Sequence, residues 1–252
     1  MAQLQRLVIA LSQCIDNTIA LTPEQYHYLT RVLRLKGGDR FHAICEQTWW
    51  LAQLHLSQAE AQLLEPVPIQ TELEQPITLL AALTKGQGFD EVVRATTEMG
   101  ITTLIPLLTA HTVMNPSDSK LERWRRIATE AAEQSCRQRV PEILAPVTFA
   151  NALTLVKTER FIHNYPLICV TDQEGINLAQ ALVSLPELGT LIMVGPEGGW
   201  TLEEQSAAIA QGFLPVSLGH RVLRAVTASM AAVAVLSTHI EGRANNKNRS
   251  ID

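Results

Sequence analysis

The stretch Gly189–Ile240 constrains this chain more than any other. A short apolar run, Leu191–Val194, leads into Gly195-Pro196-Glu197-Gly198-Gly199. A helix is expected behind that turn, because Thr201 and Glu204 have capping-box spacing and Gly212 supplies a stop. A second apolar run, Leu214–Leu218, meets the loop Gly219-His220-Arg221, which feeds a long apolar helix ending near Ile240. Strand, glycine loop, helix, strand, loop, helix is an α/β unit with both loops at the carboxyl edge of one sheet. Open α/β sheets take their ligands at that edge.

A glycine-rich loop before a helix commonly holds phosphate, through free N–H groups and the positive end of the helix dipole. Here the loop contains no Lys or Arg and is not a Walker motif. Glu197 lies in it, Glu203 and Glu204 fill the first helical turn, and Thr201 caps the free amides. Such a loop suits a neutral or cationic ligand. A lone GPEGG is more often a structural turn; the second loop at the same sheet edge favours a binding site.

The 252 residues suffice for one large or two modest domains, and 46% hydrophobic content supports a full core. No apolar run reads as long enough to span a bilayer, and Met1–Ala10 lacks a signal-peptide cleavage pattern. Cys14, Cys45, Cys136 and Cys169 lie far apart without a CxxC pair, and no HExxH occurs, so no metal site is expected. Scattered thiols fit a reducing cytoplasm, each as a small buried apolar group. The net charge of −5 offers no overall attraction to nucleic acid, so RNA contact has to rest on local clusters. Glu65–Pro76, with three prolines and no helical period, reads as a linker between domains at 1–72 and 73–252.

In the first domain, Gln5–Ala10, Phe41–Cys45 and Trp49–Leu56 read as strands. Between the first two, Thr22, Pro23 and Gln25 open a helix that Lys36-Gly37-Gly38 ends. His27, Arg31 and Arg34 follow at helical spacing on one face, with Lys36 and Arg40 beyond and Tyr26 and Tyr28 alongside. Such a row can track an RNA backbone and stack a base. It can equally complement the helix dipole; five Lys or Arg against seven acids up to Glu72 give the segment no cationic excess.

In the second domain, Ile77–Leu83 reads as a strand buried on both faces. Lys85-Gly86-Gln87-Gly88 and a helix at Phe89–Met99 follow; Glu91 stands where a GxGxxG motif needs its third glycine, so no dinucleotide site is expected. Thr102–Leu108 reads as a strand. The helix Ser119–Gln138 carries a core stripe at Leu121, Trp124, Ala128, Ala131 and Ser135, and a polar face at Glu130, Gln134 and Arg137. That face is either a solvated surface or a contact for RNA. Strands at Ile143–Pro146 and Leu167–Thr171 alternate with helices at Phe149–Thr158 and Ile176–Ser184, which predicts a mostly parallel α/β sheet.

VGPEGGWTLEE followed by SLGHRVLRAVTA, with HYLTRVLRLKGGDRF, EVVRATTEMGITTLIPL and ERWRRIATEAAEQSCRQRVPEI, resembles the RsmE family across nearly the whole chain. That family methylates N3 of a uridine in 16S ribosomal RNA and belongs to the SPOUT superfamily. The resemblance implies a C-terminal trefoil knot near 189–241 and a small N-terminal β-rich, PUA-like or OB-like RNA-binding domain. It implies S-adenosylmethionine as cofactor, held by Thr171, Val194, Gly195, Pro196, Gly199, Leu218, Gly219, Val222, Leu223 and Arg224. It implies RNA contacts at Arg6, His27, Arg31, Arg34, Lys36, Lys85, Gln134 and Arg137. Arg224 is the expected charge-stabilising side chain, with Arg221 and Glu197 behind it; Glu197 and Glu98 are both available as a general base. The expected partners are 16S RNA, within the 30S subunit, and a second copy in a cytoplasmic homodimer, without membrane or metal. One departure stands out: where the family often has Thr-Glu after Leu-Arg, this chain has Ala225 and Val226. Two other readings are a SPOUT ribose 2′-O-methyltransferase and an RNA-binding protein that has kept the fold without catalysis.

Overall fold

The computed structural model describes residues 4–84, 86–112, 116–171, 175–184 and 186–249. The chain forms two compact units: Met1–Glu72 with Ala132–Arg139, and Leu73–Ala131 with Val140–Asp252.

The first unit contains β1 (Arg6–Val8), β2 (Cys14–Ile15), β3 (Thr18–Ala20), α1 (Pro23–His27), β4 (Arg40–Cys45), β5 (Thr48–His55) and β6 (Glu60–Val67). The sheet order is β1-β4-β5-β6-β3-β2, antiparallel except for β1 beside β4. Its interior is filled by Ile19, Leu29, Phe41, Ala43, Ala52, Leu54 and Ala61, all fully buried. In β5, Trp50, Ala52 and Leu54 face this interior, while Trp49 is buried on the opposite face against His42, Arg6 and the Arg137 carbonyl; the register shift beside Leu51 and Ala52 comes from the extra residue Leu64 in β6. β6 overlaps the start of the expected linker. Its buried Ala61 and Leu63 are the only apolar inward positions in a polar run, too weak a pattern to read as a strand.

The capping box at Thr22 forms as expected, with Pro23 in the first turn. The helix then loosens into one π-turn, Tyr28–Val32, closed by Leu33 N–H donating to Tyr28 O. Arg34 lies beyond it at φ 58, so it does not share the helical face of His27 and Arg31. The wider turn and left-handed residue undo the straight 3.6-residue count.

Residues 132–139 close this unit. The helix expected to reach Gln138 stops at Gln134, and Cys136 takes φ 63 and reverses the chain. Glu133 then accepts from Val8 N–H at 2.7 Å, and Trp49 Nε1–H donates to Arg137 O at 3.2 Å.

The second unit contains β7 (Ile77–Ala82), α2 (Gly88–Glu98), β8 (Thr103–Leu108), α3 (Asp118–Gln134, its last turn in the first unit), β9 (Glu142–Ile143), β10 (Val147–Thr148), α4 (Phe149–Leu155), β11 (Asn164–Cys169), β12 (Ile176–Asn177), α5 (Leu178–Ser184), β13 (Gly189–Val194), α6 (Leu202–Ala210), β14 (Leu214–Ser217) and α7 (Ala225–Arg249). The strand pairs are parallel, in the order β10-β8-β7-β13-β11-β14-β12, with β9 beside β8. β7 and β13 are buried at every position because helices cover both faces. Leu79, Ala81, Ile192 and Val194 meet Phe89, Trp124 and Val233 on one side, while Leu80, Leu191 and Met193 meet Phe149, Ala208 and Phe213 on the other.

One sequence expectation needs correction here. The Ala225–Ala244 stretch of α7 is long and apolar enough to cross a membrane by length and composition, with 33% of it buried. As one unbroken helix it packs Val233, Leu236 and Ile240 into the core.

Candidate functional site

The carboxyl ends of β11, β13 and β14 open onto a cavity of about 990 Å³ within the second unit. Thr171, Val194, Gly195, Pro196, Gly199, Leu218, Gly219, Arg221, Val222 and Leu223 all line it. Arg224 and Glu197, which the sequence reading also put at this site, are exposed and lie outside the lining. Arg224 stands at the start of α7, where its carbonyl accepts from Ala228 N–H at 2.8 Å.

The loops are held by contacts that the sequence did not announce. Gly199 has φ +73 and closes the first turn by donating to Pro196 O at 2.9 Å. Gly219 has φ +113 and donates to Ser217 Oγ at 3.1 Å; both glycines occupy backbone that other residues rarely adopt. Trp200 Nε1–H donates to Cys169 O at 2.8 Å, so the indole spans from the β13 loop to the end of β11. Glu204 completes the capping box with Thr201 and also accepts from Ala110 N–H at 2.8 Å. His111 Nδ1 lies 3.0 Å from Gly199 O. The loop after β8 is thereby tied to the glycine loop.

A third wall was not foreseen. Gly175, Asn177 and Gln180, around β12 and the start of α5, face the same cavity, with Gln205 of α6. Nothing in their spacing marked them: they converge only because β12 pairs with β14. Cys169 also lines the cavity, and burial pushes its thiol up to about 12, so it is a neutral wall rather than a nucleophile. At the N-terminus of α6, backbone amide and Thr201 hydrogen bonds hold the Glu203 carboxyl below its ordinary range. The first turn of α6 is already capped by Thr201, and the walls mix glycine backbone with Val194, Leu218 and Leu223, with Arg221 also in the lining. These residues fit a ligand with an apolar part and several hydrogen-bonding edges.

The expected RNA contacts separate into two groups. His27, Arg31, Arg34 and Lys36 are exposed. Gln134 is exposed too, and its carbonyl accepts from Arg6. Arg6 and Arg137 differ from these in making contacts inside the first unit. Arg6 Nη1 donates to Glu133 O at 3.0 Å, and its guanidinium lies 5.6 Å from the centre of the Trp49 ring. Arg137 is 2% exposed and forms a two-pronged pair with Glu72, at 2.5 and 3.3 Å. Both cations hold the first unit together. Lys85 lies outside the described residues.

A parallel α/β unit with a cavity built from three carboxyl-edge loops, in a chain that also carries a small β unit, defines the class. Residues 71–237 match the family of RNA methyltransferase domains, and residues 21–61 match the RNA methyltransferase PUA domain. The ribosomal RNA small subunit methyltransferase E of Synechocystis is 48% identical over 94% of this chain and 78% of its own length. That of Bacillus subtilis is 30% identical over 94% and 98%. Among solved structures, the same enzyme of Neisseria gonorrhoeae bound to S-adenosyl methionine is 27% identical, covers 93% of this chain and 98% of its own, and superposes with a TM-score of 0.81. The chain belongs to the ribosomal RNA small subunit methyltransferase E family.

Proposed function

We propose that this protein transfers a methyl group from S-adenosylmethionine to N3 of a uridine in 16S ribosomal RNA, as part of the 30S subunit. The observation that carries this reading is the cavity between the loops after β11, β13 and β14, in a chain 48% identical to a small-subunit ribosomal RNA methyltransferase. The cofactor supplies an electrophilic methyl on a sulfonium. Leu218 and Leu223 wall the apolar part of the cavity, and the backbone at Gly199 and Gly219 is open to close approach, since a Cβ at either would meet nothing within 4 Å.

N3 of uracil is an imide nitrogen that holds its proton at neutral pH and has to lose it to attack. The charge then spreads over the two flanking carbonyl oxygens. A guanidinium beside the base stabilises that charge as it forms. Arg224 and Arg221 occupy the segment joining the cavity to α7, and both are exposed. Much of the remaining barrier reduction comes from holding nitrogen, methyl carbon and leaving sulfur in line. Val226 stands where the family often has a glutamate, so any proton acceptor here lies elsewhere, with Glu197 of the glycine loop and Glu98 as the available carboxylates.

The working form is a homodimer closed through the second unit. α7 supports this, because its apolar Ala225–Ala244 stretch is only 33% buried and Val222 at the cavity edge is 83% exposed. Light scattering at micromolar concentration should return twice the chain mass of 27.8 kDa; a monomer mass removes this element.

Gly195→Val offers a binding test. A Cβ at Gly195 would stand 3.0 Å from Trp200 Cε2, so the variant displaces the indole as well as narrowing the cavity. Cofactor affinity should drop at least tenfold by calorimetry, with a modest loss of thermal stability. Unchanged affinity in the folded variant puts the cofactor elsewhere. For the reaction itself, mass spectrometry of small-subunit RNA from a deletion strain should show the loss of one 3-methyluridine. Loss of a ribose methyl instead would indicate 2′-O chemistry, and an unchanged RNA would indicate a binding protein without catalysis.

A further inference from the structure

Two of the four cysteines are not the separate buried thiols that their spacing implied. Cys14 on β2 and Cys45 at the end of β4 bring their sulfurs to 2.9 Å, against about 2.05 Å for a disulfide bond. β2 is the last strand of the sheet and β4 the second from the other end, so the contact lies where the two ends of the curved sheet meet. No backbone ladder joins β2 to β1 or β4 among the described residues. Side chains hold the seam: Gln25 Nε2 donates to Val8 O at 3.1 Å, and Gln13 Nε2 donates to Ala20 O at 2.8 Å and to Gln25 Oε1 at 2.6 Å.

We propose that Cys14 and Cys45 are a reversible disulfide-forming site that a peroxide oxidises and a dithiol restores. Cys14 is half-buried and within reach of a small oxidant, whereas Cys45 is buried. Burial, and then the Cys14 thiol beside it, push Cys45 up to about 12. Cys14 therefore reacts first. Its sulfur attacks the peroxide, an S–O bond forms as the O–O bond breaks, and one water leaves. The Cys45 sulfur then attacks the Cys14 sulfur, the S–S bond forms as the S–O bond breaks, and a second water leaves. Two thiols and one hydrogen peroxide give one disulfide and two waters, with the thiol protons carried off in the waters.

The bond closes a loop spanning 31 residues and fastens a seam otherwise held by side chains. Gln25 ties α1 to that seam, and α1 leads into the turn carrying His27 and Arg31, so oxidation restrains the exposed cations of this unit.

The test treats the purified full-length protein with a small molar excess of hydrogen peroxide, alkylates the remaining thiols and maps the peptides by mass spectrometry. The expected result is two thiols lost, Cys136 and Cys169 still alkylated, and a peptide cross-linked between Cys14 and Cys45. The melting temperature should rise by about 5 °C or more and fall back on adding dithiothreitol. Cys14→Ser and Cys45→Ser should each abolish both the cross-link and the rise. A Cys14 sulfinic acid without a cross-link, a cross-link through Cys136 or Cys169, or four thiols intact would each overturn the proposal.

Discussion

Replacing Arg224 with alanine should lower the methylation rate of isolated 30S subunits by roughly a hundredfold or more, the scale of losing one donor aimed at developing charge. The cofactor should bind almost as before, because Arg224 lies outside the lining of the cavity while Arg221 lies within it. That difference makes the two arginines separable. Arg221→Ala should weaken cofactor binding and rate together, whereas Arg224→Ala should lower the single-turnover rate at saturating cofactor. Both residues are exposed and sit in the loop before α7 or at its first turn, so neither change touches the core. A near-wild-type single-turnover rate for Arg224→Ala takes it out of the mechanism and leaves Arg221 and Glu197 as candidates.

Breaking the Glu72–Arg137 pair should have the largest effect on stability. Glu72→Ala leaves a guanidinium that is 3% exposed without its counter-charge. It also strips an acceptor from the backbone amides of Gln138 and Arg139, at 2.9 and 3.1 Å. Removing one partner of a buried pair costs about 3–5 kcal/mol. Replacing both, as Glu72→Leu with Arg137→Met, avoids the stranded charge and should recover much of the loss. Urea unfolding of the two single variants and the double variant measures this directly. A Glu72→Ala protein within about 1 kcal/mol of wild type would mean that the pair is solvent-screened. The same series distinguishes packing from recognition: the double variant should keep its RNA affinity, whereas Arg31→Ala should weaken it and flatten its salt dependence.

The family's middle segment shows why sequence could not assign Arg137. In the motif around Gln134 and Arg137, a helix carried through to Gln138 places both side chains on one polar face. The left-handed Cys136 breaks that face, leaving Gln134 exposed and turning Arg137 inward toward Glu72, 65 residues away in sequence. No local period contains Glu72. Likewise His27, Arg31 and Arg34 are a helical stripe only while the helix keeps its pitch, and the π-turn removes Arg34 from it.

Local chemistry determined much of this protein. The capping boxes at Thr22 and Thr201, the run Ile77–Ala82 buried on both faces, and the positive φ at Gly199 and Gly219 follow from residue types within a few positions of one another. Nine of the ten expected cofactor residues line one cavity because parallel strands present their loops at the same carboxyl edge, which the strand–loop–helix pattern implies; that β11 lies between β13 and β14 is decided by the sheet. Tertiary structure alone decided the rest: the third wall at Asn177 and Gln180, the His111 and Glu204 ties to the glycine loop, the meeting of Cys14 with Cys45, and the burial of Arg137. Each depends on which strands pair and where a chain reverses. Those choices are set by the summed burial of two cores rather than by any stretch of neighbouring residues, so they become visible only once the sheets are assembled.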